Sequence, residues 1–147
     1  LLASLNIDQW QDGYPDVAQI ELDIEHSDSY VVENEQGGII GTTVFCTTGE
    51  PTYDYIEGAW KTAQDTPFGV IHRVAVKKEH RKAGVAQFIF DHFEHELILQ
   101  GFTTMRIDTH EDNKGMQRLL AHRVYLHCGT IYIENGESRL AYEKILI

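Results

Sequence analysis

The sequence predicts an α+β (mixed α/β) domain with one central mixed sheet covered by helices, and three observations carry that reading. Two β-rich runs, Ser29–Glu33 and Ile39–Cys46, flank Asn34-Glu35-Gln36-Gly37-Gly38, a hairpin connection. The most strand-like run, 68–76, passes through a polar loop into a helical stripe at Val85, Ile89, Phe93 and Leu97. Near the end, Asn135-Gly136 marks a second hairpin between β-rich runs at 125–133 and 139–146.

The elements follow in order. Asp12-Gly13 and Pro15 punctuate a turn at 10–15, and Pro15 suits the first turn of a helix carrying Val17, Ile20, Glu21 and Ile24. The hairpin comes next. From 47 to 67 the periodicity fails, leaving an irregular stretch rich in aromatics (Tyr53, Tyr55, Trp60). The strand at 68–76 is followed by polar loop 77–83 and by a helix over 84–99 that Gly101 ends as its C′ residue. A strand at 103–109, a short helix at 113–122 and the closing hairpin complete the chain. The order is helix, hairpin, strand–helix–strand–helix, hairpin, which packs as helices on one sheet.

A length of 147 residues suits a single domain, 1–147, with one core. Hydrophobic residues at 42% and charged residues at 24% are an ordinary globular composition. No apolar run approaches the ~20 residues needed to cross a bilayer, so no membrane partner is expected. Cys46 and Cys128 form neither a CxxC pair nor a disulfide framework, which fits inert thiols in a reducing compartment and a cytoplasmic location. The first residue is Leu1, and residues 1–5 read like the tail of a helix, as if the chain were cut back from a longer one.

A formal charge of −11 argues against nucleic acid, which needs a basic surface. It would steer a cationic substrate, and it equally serves solubility. Lys77, Lys78, His80, Arg81 and Lys82 reverse that charge locally and point to an anionic ligand. Arg81-x-x-Gly84-x-Ala86 lies there, between a strand and a helix. A helix start leaves about four N–H groups unpaired and adds roughly half a positive charge, so it attracts phosphate. Gly84 and the small Ala86 would let oxygens reach those amides, whereas an incidental surface turn would use the same glycine for its backbone freedom.

Val74-Ala75-Val76 followed by this loop resembles the signature core of the GNAT superfamily of N-acetyltransferases. The segment 71–76, the run Arg106-Ile107-Asp108-Thr109-His110 with Asn113, and the run 139–144 look like a bacterial GNAT subfamily of mostly uncharacterised enzymes, from Trp10 to the end. The family's usual first strand and helix are missing from the pattern. The resemblance implies acetyl-CoA as acyl donor, its pyrophosphate on Arg81, Lys82, Gly84, Val85, Ala86 and Gln87. It implies backbone contact of Val74 and Val76 with the pantetheine arm, and Asn113 beside that arm or towards the adenine; Asn113 also suits a helix N-cap.

The reaction so implied is direct attack of an amine on the thioester in a ternary complex. His72, on the cofactor strand, is the first candidate base, against a sheet-bonded structural histidine; Glu111 with His110 comes second. Asp108 and Arg73 read as a structural ion pair or polar network. Where many members carry a thiolate-protonating tyrosine, this chain has Leu120, and Val124 takes a glycine position, with Tyr125 read as core. The acceptor, a small-molecule or peptide amine, would meet 10–14 and 47–60, where aromatics with Asp12, Glu50, Asp54 and Glu57 form either a cation cage or core anchors. His92-x-x-His95 lacks a third ligand and reads as solvated surface, so no metal is expected. A homodimer is compatible with the family. The rival function is a non-catalytic acyl-CoA-binding sensor or regulatory module.

Overall fold

The computed structural model describes residues 28–81 and 84–147, with the backbone of 19–22. The turn expected at 10–15, and Lys82 and Ala83, lie outside the described residues. In chain order the strands are β1 (Gln19–Leu22), β2 (Ser29–Glu33), β3 (Ile39–Cys46), β4 (Glu57–Gly58), β5 (Gly69–Val76), β6 (Thr104–Thr109), β7 (Leu126–Tyr132) and β8 (Ser138–Ile145). The helices are α1 (Val85–Leu99) and α2 (Lys114–His122). The chain divides into two compact units, Leu1–Phe45 with Ile71–His95, and Cys46–Val70 with Glu96–Ile147.

In the first unit the strand order is β1-β2-β3-β5. The helix expected around Ile20 and Glu21 is instead β1, antiparallel to β2 from Gln19↔Glu33 to Leu22↔Tyr30. Gln19-Ile20-Glu21-Leu22 alternates polar and apolar, a period-2 pattern that an adjacent strand edge favours over the helical spacing. The β2–β3 hairpin forms as expected, because the Asn34 Oδ1 accepts from the amides of Gln36 and Gly38, both at 2.9 Å. Helix α1 buries Val85, Ile89, Phe90 and Phe93 in this unit. The Phe93 ring stacks on Phe45 at 4.4 Å and meets Tyr30 edge-on at 4.9 Å. Each such side chain contributes about 1.5–3 kcal/mol of burial. A Cβ on Gly41 would lie 3.1 Å from Val85, so β3 seats the first turn of α1 closely.

In the second unit the order is β5-β6-β8-β7-β4. The β5–β6 pair is parallel, with Gly69↔Met105 and Val70↔Arg106, while β6–β8, β8–β7 and β7–β4 are antiparallel. The segment expected to be irregular carries a 3-10 turn at Pro51–Tyr53 and the two-residue β4. Its Trp60 is anchored by a buried ion pair. The Arg106 Nε lies 2.9 Å from the Glu143 Oε2, with side chains 4% and 0% exposed. Glu143 also accepts from the amides of Lys61 and Thr62 and from the Thr62 hydroxyl at 2.6 Å. The guanidinium lies 4.2 Å from the Trp60 ring centroid and 4.3 Å from that of Phe68. Charge, donors and π faces are thereby satisfied together, the condition for a buried pair to be tolerated.

Both helices end in the same hydrogen-bonding motif. At α1 the Phe102 amide donates to Leu97 O and the Gly101 amide to Ile98 O, with Gly101 at φ +87°, as expected of a C′ glycine. At α2 the Tyr125 amide donates to Leu120 O and the Val124 amide to Ala121 O. Here the left-handed residue is Val124, at φ +69°. A β-branched side chain in that region is strained, and this one is 67% exposed, so little packing offsets the strain. Val124→Gly is therefore expected to raise stability by about 1 kcal/mol, or ~2–4 °C in melting temperature. Thermal denaturation of the variant beside the parent chain measures this, and an unchanged or lower midpoint would contradict it.

Candidate functional site

The first unit gathers most of β5, the basic loop and the start of α1. In β5, Gly69, Val70 and Ile71 are buried; His72, Val74 and Val76 are then half-buried while Arg73 and Ala75 are exposed. Arg73 stands at φ +51°, a left-handed residue inside a strand. Such a residue breaks the pleat and turns the adjoining peptide groups out of the regular ladder. The His72 carbonyl accepts from the Thr43 hydroxyl at 3.0 Å, a side chain of the neighbouring strand. Just beyond, the Lys77 amide donates to Ile40 O at 2.8 Å, which returns β5 to β3 before the loop.

The loop opens with a 3-10 turn, Lys78–His80, closed by the Arg81 amide on Lys78 O. Of the basic cluster, Lys78 and Arg81 are exposed, Lys77 is half-buried and His80 is buried; Lys82 lies outside the described residues. Gly84 stands at φ +86°, and its carbonyl accepts from the Phe88 amide at 2.9 Å as the first turn of α1 closes. The amides of Val85, Ala86 and Gln87 precede that first bond, as at any helix start. No acidic residue lies in the first turn. Val85 is buried, and Ala86 and Gln87 are half-buried. A small residue with left-handed backbone, a helix terminus and exposed Arg81 together fit an anionic phosphate group.

Within the second unit, Asn113 is the N-cap of α2, its Oδ1 accepting from the Met116 amide at 3.1 Å. Glu111 is exposed, and its carbonyl accepts from the Gln117 side chain at 2.7 Å. His110 Nδ1 accepts from the Asp112 amide at 3.0 Å, which holds this turn in shape. Asp108 has its polar partner in Tyr53, whose hydroxyl donates at 2.6 Å. Burial, and then the Asp108 carboxylate, push the Tyr53 phenol well above its usual range, so it stays protonated and a donor. Leu120, at the tyrosine position, is fully buried, and Tyr125 is core as expected.

The aromatic segment divides. Tyr53 and Trp60 are anchors, their rings 5.2 Å apart, with the Trp60 Nε1 donating to Tyr53 O at 3.0 Å. Glu50 caps the 3-10 turn through Thr52. Asp54, Tyr55 and Glu57 remain outward, and of these Tyr55 and Glu57 meet Tyr132, a residue the sequence reading passed over. The sequence also passed over Arg73 as a backbone feature and the pairing of Arg106 with Glu143. A charged residue between Met105 and Ile107, and another beside Tyr142, were signals that a buried pair existed; no signal in the sequence marks the turn at Arg73.

A strand broken at a left-handed residue, leading through glycine into a helix terminus, is an arrangement that suits a phosphate-bearing ligand. Residues 1–129 match the family model of the acetyltransferase (GNAT) family. Among solved structures, a GNAT-family acetyltransferase from Streptococcus agalactiae 2603 is 31% identical, with 95% of this chain and 78% of that one covered at a TM-score of 0.67. An acetyltransferase from Staphylococcus aureus Mu50, described as putative, is 26% identical over 85% of this chain and 76% of its own, at 0.64. The NatC complex bound to Gag peptide and CoA shares the fold at 14% identity, with 82% and 72% covered and a TM-score of 0.63. The chain belongs to the acetyltransferase (GNAT) family, whose members are acyltransferases that use acyl-CoA.

Proposed function

We propose that this protein is an N-acetyltransferase that moves an acetyl group from acetyl-CoA to an amine by direct attack in a ternary complex. The observation that carries the reading is the left-handed break at Arg73 inside β5, upstream of the Gly84 helix start. Peptide groups turned out of a ladder can donate to a thioester carbonyl and bind an extended chain. Arg81, Lys82, Gly84, Val85, Ala86 and Gln87 take the pyrophosphate, and the backbone of Val74 and Val76 takes the pantetheine arm. His72, half-buried on the same strand, accepts the ammonium proton, directly or through water. The role of Asn113, in the second unit, rests on the sequence resemblance, and Glu111 is the second-choice base from its place just past the C-terminal end of β6. Since a thiol of pKa about 8.5 leaves readily, no strong acid is required where Leu120 stands.

Cys46 and Cys128 form no disulfide, which favours a cytoplasmic setting, and among the described residues no helix is long and apolar enough to cross a membrane. The buried Leu120 also favours a second reading, a non-catalytic acyl-CoA-binding sensor. Calorimetric titration with acetyl-CoA, followed by a thiol-release assay over small-molecule and peptide amines, separates the two. Binding with turnover is expected. Binding without turnover on any amine would leave the sensor, and no binding would end both readings.

A further inference from the structure

The outward remainder of the aromatic segment is a small built cluster at the edge of the second unit. Glu57 is in β4, the last strand of the order, paired with Thr130 of β7. The Tyr132 hydroxyl donates to its Oε1 at 2.7 Å and the Tyr55 hydroxyl to its Oε2 at 3.4 Å. The two tyrosine rings lie 6.5 Å apart, tilted by 30°. Tyr55 is 63% exposed and Tyr132 37% exposed, so both rings offer surface to solvent. The hydrogen bond to Glu57 raises the Tyr132 phenol above its usual range, which keeps it a donor. Among the described residues the Glu57 carboxylate has no basic partner within ion-pair distance, although the phenols fix both of its oxygens in place.

We propose that Tyr55, Glu57 and Tyr132 form a binding site for an alkylammonium group. Three features point to a cation. A carboxylate without a protein cation supplies the charge, two tyrosine faces supply π surface, and hydrogen bonds from both phenols orient the carboxylate before any ligand arrives. The chain's net charge of −11 draws cations towards it. Neutral or anionic groups gain nothing from this arrangement, because the hydroxyl donors are already committed to Glu57. Such an exposed site binds weakly, with a dissociation constant on the order of 10 mM for a simple alkylammonium. A polyvalent amine or a lysine-bearing chain would gain from it as a secondary anchor.

The proposal is independent of acyl transfer and is tested without acetyl-CoA. Butylammonium is titrated into the protein at low ionic strength, following the ring protons of Tyr55 and Tyr132 by NMR, with butanol as the neutral control. The expected result is saturable shifts with butylammonium only, and ~two- to fivefold weaker binding in Glu57→Gln. Tyr55→Leu removes one π face at a position 63% exposed and is expected to weaken binding with the fold intact, so a structural effect at β4 cannot account for both. Equal shifts with butanol, or full affinity retained in both variants, would overturn the proposal and leave the cluster as a clasp holding β4 to β7.

Discussion

Replacing Glu143 with alanine is expected to remove about 3–5 kcal/mol of stability and to lower the melting temperature by ~10–15 °C. The cost comes from what is left behind. Glu143 is fully buried and accepts from Arg106, from the Thr62 hydroxyl and from the amides of Lys61 and Thr62. Its loss leaves the Arg106 guanidinium, 4% exposed and flanked by Trp60 and Phe68, without a counter-charge, and leaves two backbone donors without their acceptor. Each such buried, unsatisfied group costs about 1–3 kcal/mol. The same reasoning gives a second expectation. Arg106→Met combined with Glu143→Leu should cost clearly less than the sum of the two single changes, because the double variant buries no charge. Denaturant unfolding of the four proteins measures the cycle, and strictly additive losses would contradict the account. Near-ultraviolet circular dichroism should change in the Glu143→Ala protein, since Trp60 is held by this pair.

Gly84→Asp is expected to abolish acetyl-CoA binding, weakening it by at least ~100-fold. Two effects add. A side chain at Gly84 intrudes on the amides of the first helical turn, and a carboxylate there repels phosphate while weakening the helix terminus as an anion site. Gly84 stands at φ +86°, so part of any loss would be backbone strain. Gly84→Asn separates the terms, because asparagine has nearly the same shape, tolerates left-handed backbone and carries no charge. Calorimetry should show the Asn variant weakened and the Asp variant without measurable binding, at closely similar melting temperatures. Retained affinity in Gly84→Asp would place the cofactor elsewhere.

These two positions differ in how far the sequence exposes them. Gly84 is legible because its partners are its neighbours: a strand before it, a helix after it and Arg81 three places back. Asn113 as an N-cap and Gly101 as a C′ residue are legible for the same reason, each acting within one turn of chain. Glu143 is not, since its partners Thr62 and Arg106 are far away along the chain and meet it only when β6 and β8 pair at Arg106↔Glu143. Tyr132 likewise acquires its partner through the β4–β7 pairing of Glu57 with Thr130.

What the sequence by itself determined is most of the local elements, the mixed α/β class, the family and the strand–glycine–helix arrangement around Gly84, because periodicity, caps and turns depend on interactions a few residues apart. Only the tertiary structure decided that Gln19–Leu22 is a strand and that Arg73 takes a left-handed backbone. It alone sent Trp60 to a buried ion pair and left Tyr55 and Glu57 outside with Tyr132. In each case the deciding energy comes from a partner distant in the chain. A strand edge, a buried charge or a facing ring outweighs local preferences of a few tenths of a kcal/mol to about 1 kcal/mol per residue.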